Sequence, residues 1–128
     1  MLSAKEKRFY AGIAWGSKEL SECPEPDGAV LVKDGRIINH GFSRRLKEND
    51  DNWIMSSVKQ VLVPAPGGSL GASLFLTRFP CIEDMKLIIA SGISEVYFFG
   101  PIDDKESVQL LNCYPEGFKP LEIIRLET

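Results

Sequence analysis

The chain has 128 residues, 44% of them hydrophobic, with a formal net charge of -3, which suits one core and a single domain over residues 1–128. That balance supplies no broad cationic field, so long-range capture of a nucleic-acid polymer or an anionic membrane is excluded from the expected functions. Residues 1–8 are charged with no apolar leader core behind them, no apolar run approaches bilayer length, and Cys23, Cys81 and Cys113 form an odd set without disulfide spacing, so a cytosolic, reducing location is expected.

Residues 4–22 carry Phe9, Ile13, Ala14 and Leu20 at helical spacing among charges, predicting an amphipathic opening helix that stops before the prolines at 24 and 26. From Gly28 two β-branched runs flank Asp34-Gly35, a pair that accepts the positive φ angles of a tight hairpin, so a strand, a turn and a strand follow. Residues 43–52 are polar and read as a loop, with Asp51 or Asn52 as the cap of the next helix. In residues 53–63, Ile54, Val58, Val61 and Leu62 recur at three- and four-residue steps, predicting a second helix ended by Pro64 and the Gly-rich stretch after it. Residues 72–77 form a short apolar strand. Pro80 suits a helix start, and a third helix runs to about Ser91-Gly92. Residues 96–99 are a strand, Asp103 caps a fourth helix through about Cys113, and residues 121–126 close as a strand. Strands alternating with helices in the second half call for crossover connections and a mainly parallel sheet covered on both faces, with the early hairpin adding an antiparallel pair.

Two blocks carry a family signal. The first is the hairpin from Gly28 to Ile38 with Gly41-Phe42 after it. The second runs from Gly71 through Thr77, Pro80-Cys81, Asp84 and Ser91-Gly92 to Ile93. Together they resemble the cytidine and deoxycytidylate deaminase superfamily, the deoxycytidylate branch most, over nearly the whole chain. The resemblance implies an α/β fold of three layers, α/β/α, around a mixed five-stranded sheet. It also implies a zinc ion held by a His-x-Glu motif on the second helix and by the two cysteines of a Pro-Cys-x-x-Cys turn, with a metal-activated water attacking the base and the glutamate shuttling protons. Carried over residue by residue, Cys81 takes the first cysteine's place and Asp84 the second's. Met55 and Ser57, 26 and 24 residues before Cys81, take the places of the His-x-Glu ligand and the glutamate. A serine hydroxyl has no useful acidity near neutrality and does not serve as that shuttle. The family's sugar-contacting asparagine after the second strand is Ser43 here.

These departures lead to a reading of degenerate positions at Met55, Ser57, Cys81 and Asp84, with no catalytic residue, no metal ligand set and zinc absent. The residues expected to line a ligand site are Ser43, Arg44, Arg45 and Cys81, the ligand being nucleotide-like. His40, Cys81, Asp84 and a further cysteine compose an alternative metal set, although His40 lies at the end of the second strand. Cys81 at a helix N-terminus is expected to have a lowered thiol pKa. Glu83 and Asp84 in a first helical turn read either as an acid/base pair or as dipole-complementing residues, the second being the simpler account. Arg44, Arg45 and Lys47 read either as phosphate ligands or as a solvated loop beside Glu48, Asp50 and Asp51. Trp15, Trp53, Tyr97, Phe98 and Phe99 read as core or subunit interface, and by resemblance the chain forms at least a dimer. The function expected is that of a catalytically inactive deaminase-like protein acting by small-molecule or protein binding. The alternatives are a nucleotide-processing hydrolase built around Cys81 and Asp84, or a regulatory subunit of an active deaminase.

Overall fold

The computed structural model describes residues 2–65, 68–114, 116–118 and 120–127. Helix α1 (Ala4–Lys18) opens with a capping box in which the Ser3 hydroxyl accepts from the Glu6 amide and the Glu6 side chain accepts from the Ser3 amide. It ends at Lys18, short of the expected residue 22. The next amides bond three residues back, Leu20 to Ser17 and Ser21 to Lys18, and the Ser21 hydroxyl donates to the Ser43 carbonyl at 2.7 Å, drawing the chain out of the helix.

Strands β1 (Gly28–Lys33) and β2 (Arg36–Phe42) form the expected hairpin, with Asp34 at φ 51° and Gly35 at φ 75° in its turn. β1 continues antiparallel onto β5 (Ser73–Leu76), which pairs parallel with β6 (Glu95–Phe98), and β6 pairs parallel with β7 (Glu122–Arg125). The result is a mixed five-stranded sheet in the order β2-β1-β5-β6-β7. The central strands read as continuous apolar runs because both faces are covered. On one face α1 lays Tyr10, Ala11 and Ala14 over Val30, Val32, Phe75 and Tyr97. On the other, α2 (Ser57–Leu62) and α3 (Ile82–Ala90) pack Val58, Val61, Met85 and Ile88 over Leu31, Leu74, Leu76, Val96 and Phe98, with α4 (Lys105–Asn112) at the margin through Val108 and Leu111. The expected three layers follow from these two apolar clusters. Gly28 lets α1 approach β1: a Cβ there would fall on the Ala14 carbonyl oxygen and 2.6 Å from the Lys18 amide nitrogen.

The second helix differs from the expectation. Residues 54 and 55 form a short strand, β4 (Ile54–Met55), paired antiparallel with β3 (Arg44–Arg45), inside what reads as a loop and a helix. The helix starts only after Ser56, whose hydroxyl caps it by accepting from the Lys59 amide at 3.2 Å. Asp50, rather than Asp51 or Asn52, caps the preceding 3-10 turn (Asp51–Trp53), and Asp51 instead pairs with Arg45 at 2.6 Å. At α4 the cap is Asp104, accepting from the Ser107 amide, and not its neighbour Asp103, which lies 4.0 Å from Arg78. Of the connector after α2, Pro66 and Gly67 lie outside the described residues. Among the described residues no helix is long and apolar enough to cross a membrane.

Candidate functional site

The beginnings of α2 and α3 meet at the end of the sheet where β5 finishes and β1 starts. The Gly28 amide donates to Thr77 Oγ1 at 3.0 Å, locking that junction, and the Ser107 hydroxyl donates to the Pro80 carbonyl at 3.0 Å, fixing the turn that delivers Cys81 and α3. The convergence leaves a pocket of about 530 Å³ whose polar lining includes Asp27, Ser56, Ser57, Lys59, Arg78, Cys81 and Asp84.

At its floor the Ser56 hydroxyl donates to Asp84 Oδ1 at 2.8 Å, joining the cap of α2 to the first turn of α3. Asp27 Oδ1 accepts from the Ser57 amide at 3.3 Å, placing a second carboxylate at the start of α2. Asp84 is only 5% exposed. Its pKa is raised, chiefly by burial and further by the nearby charge of Asp27, while the Ser56 bond, Lys59 and Cys81 pull the other way. Cys81 is the N-cap residue of α3 but makes no side-chain cap bond. Its thiol pKa is raised, first by partial desolvation and then by the Asp84 charge, although backbone hydrogen bonds at the helix start oppose this. The lowered value expected from the helix dipole is therefore corrected: an acidic neighbour one turn along, together with desolvation, outweighs it.

The structure brings Ser57, Cys81 and Asp84 together at this pocket with Ser43 at its edge. Met55 is half-buried in β4 opposite Arg44, one residue before the cap, and is not part of the lining; the residue facing Asp84 is Ser56. Arg44 and Arg45 do not share the pocket with Cys81 as expected. They line a separate pocket of about 430 Å³, where Arg45 is tied to Asp51 and Arg44 lies over the Phe42 ring, because β3 pairing turns them away from the helix starts. Ser43 borders both pockets, but it is buried, and its hydroxyl accepts from the Asp27 amide at 3.1 Å and lies 2.8 Å from the Ser21 hydroxyl. Sequence reasoning missed Ser56, Asp27, Lys59 and Arg78. Ser56 carried a usable signal, a serine directly before an apolar helical period; Asp27, inside a Pro- and acid-rich stretch, carried none.

The superfamily resemblance implies zinc, and the residues at the floor do not fit it. Structural and catalytic zinc sites take their protein ligands from thiolate, imidazole and carboxylate groups. Here one thiol and one carboxyl stand beside a neutral hydroxyl, and among the described residues no group of three His, Cys, Asp or Glu side chains converges. His40 cannot complete the set: it is exposed on the α1 side of the sheet, its Nδ1 3.3 Å from Ser17 Oγ. The pocket lining still holds four carboxylates, and two of them, Asp27 and Asp84, stand at the helix starts without having been counted together in the motif alignment.

No family model matches the sequence. The deoxycytidylate deaminase of Mycobacterium phage D29 is 29% identical over 116 residues, covering 70% of this chain and 91% of that protein. The dCMP deaminase of cyanophage S-TIM5, in its crystal structure with dCMP and dUMP, superimposes with a TM-score of 0.81 at 21% identity over 98% of this chain and 100% of that one. The Thermotoga maritima diaminohydroxyphosphoribosylaminopyrimidine deaminase/5-amino-6-(5-phosphoribosylamino)uracil reductase does so with a TM-score of 0.71 at 25% identity, over 93% of this chain and 36% of that one. Sequence likeness to a deoxycytidylate deaminase and fold likeness to solved deaminases agree with the motif blocks read from the sequence, and together they support the resemblance to the cytidine and deoxycytidylate deaminase superfamily.

Proposed function

We propose that this chain is a deaminase-fold protein without zinc-dependent deamination, which uses the pocket between α2 and α3 to bind a nucleotide-like small molecule. The observation that carries the reading is the 2.8 Å hydrogen bond from Ser56 to Asp84, which spends on each other the cap of α2 and the residue that takes the place of the superfamily's second cysteine. Hydroxide production at neutral pH depends on a metal held by a defined donor set, and the reading is supported by the lack of three converging His, Cys, Asp or Glu side chains among the described residues. The pocket's volume suits a small ligand, and the cyanophage dCMP deaminase that shares the fold was crystallised with dCMP and dUMP, which makes those nucleotides the first ligands to try. In this reading the protein works in the cytosol, where its three free cysteines stay reduced, and forms at least a dimer.

Metal analysis of the purified protein tests the reading together with deamination assays on dCMP and cytidine and a thermal-shift screen of nucleotides. Substoichiometric zinc, no turnover and a nucleotide-dependent rise in Tm are expected. One zinc per chain with turnover overturns it.

A further inference from the structure

We infer that the floor of this pocket selects its ligand by a donor edge: two adjacent N–H groups, as on an amidine, laid against the Asp84 carboxyl in preference to an isosteric carbonyl edge. The inference rests on the binding reading above and adds the chemistry of the part of the ligand that reaches the floor.

Hydrogen-bond supply at the floor carries the argument. Among the described residues Asp84 is the only buried carboxylate. Its two oxygens offer about four acceptor positions; the Ser56 hydroxyl takes one at Oδ1, and the Cys81 thiol is a further partner. Acceptor capacity is therefore left over in a group that borders the cavity. The donors beside it are already used internally: the Ser56 hydroxyl on Asp84 and the Ser57 amide on Asp27 Oδ1. A ligand carbonyl arriving at this floor meets acceptors and committed donors, whereas a pair of ligand N–H groups meets the lone pairs of a carboxyl. The cations of the lining do not reverse this preference. Arg78 is held by Glu25 at 3.4 Å and lies 4.0 Å from Asp103, and Lys59, which shares the lining with Asp27 and Asp84, favours the ionised form of Asp84 and so its role as an acceptor. Planar two-point recognition of a carboxylate by paired N–H donors is also the geometry that gives such contacts their strength.

Benzamidine and benzamide are flat isosteres that differ at this edge, and calorimetric titration of the full chain with each, alongside dCMP, decides the matter. Benzamidine is expected to bind at least about tenfold more tightly than benzamide, as a charge-assisted pair exceeds a neutral one, and dCMP is expected to displace it. Asp84→Asn should level the two probes, while Asp27→Asn should keep the preference. Equal affinity of the probes for the wild type overturns the inference, and that comparison stands even if a variant does not fold. So does a preference that survives Asp84→Asn. If dCMP binds without any amidine preference, the donor-edge inference alone falls; if neither the probes nor dCMP bind, the binding reading falls with it.

Discussion

Ser56→Ala tests the junction of α2 and α3 most directly, with Ser3→Ala as an internal reference. Both serines cap a helix, Ser3 by accepting from the Glu6 amide at 3.1 Å and Ser56 from the Lys59 amide at 3.2 Å. Loss of a serine cap costs about 1 kcal/mol, and Ser3, on an exposed helix start, should cost no more than that. Ser56 has the second task of donating to Asp84, which is 5% exposed. A hydrogen bond to a charged, largely buried group contributes about 1.5–3 kcal/mol; because the pocket is open and Cys81 remains a partner, the lower end applies. Ser56→Ala should therefore destabilise by about 2.5 kcal/mol, roughly 1.5 kcal/mol more than Ser3→Ala. Urea unfolding at pH 7 measures both, and a double-mutant cycle with Asp84→Asn should return a coupling of about 1–2 kcal/mol. Equal effects of the two alanines, or strict additivity with Asp84→Asn, would refute the view that the bond ties the helices together.

Asp84 also sets a pH dependence. Its folded pKa lies above the ordinary 3.8, so its contribution to stability is fully present below pH 3.8, where the group is protonated in both states, and is lost as pH rises through the raised folded value. Asp84→Asn, neutral throughout, should gain on the wild type as pH rises from acid to neutral, read from urea midpoints; a constant difference would count against the shift. The same variant should speed iodoacetamide alkylation of Cys81 several-fold near neutral pH, because it removes an anion that disfavours the thiolate, and peptide mapping reports the rate at that residue. Gly28→Ala should destabilise by about 3 kcal/mol, the upper end for overpacking, because the added methyl meets helix backbone instead of a movable side chain. Dialysis against a chelator should leave Tm unchanged; a fall of several degrees, reversed by zinc, would show that a metal is part of the fold.

The alternation of strands and helices was legible, and so were the Asp34-Gly35 hairpin and the turn through Pro80 and Cys81, since each rests on local chemistry: apolar period, left-handed turn residues, a proline before a helix. The start of α2 was not. Trp53, Ile54 and Met55 continue the apolar spacing of Val58 and Val61, but pairing of residues 54 and 55 with Arg45 and Arg44 and the Ser56 cap together override it. Asp103 and Asp104 are equivalent caps on paper, and only the path of the chain chooses between them. At the site, Cys81 and Asp84 were visible because they lie within one turn of one helix, whereas the Ser56 partner stands 28 residues away and Asp27 further still. The separation of Arg44 and Arg45 from Cys81 likewise depends on strand pairing that no local pattern announces.

The hydrogen bond between Ser56 and Asp84 has a thermodynamic character of its own. A helix junction closed by a bound ion or small molecule is stabilised by mass action, in proportion to the logarithm of that species' free concentration. A junction closed by a hydroxyl and a carboxyl of the same chain carries no such dependence. The start of α2 is thus held to α3 before any ligand arrives, and a ligand that enters the pocket adds its own mass-action stabilisation to a junction already closed.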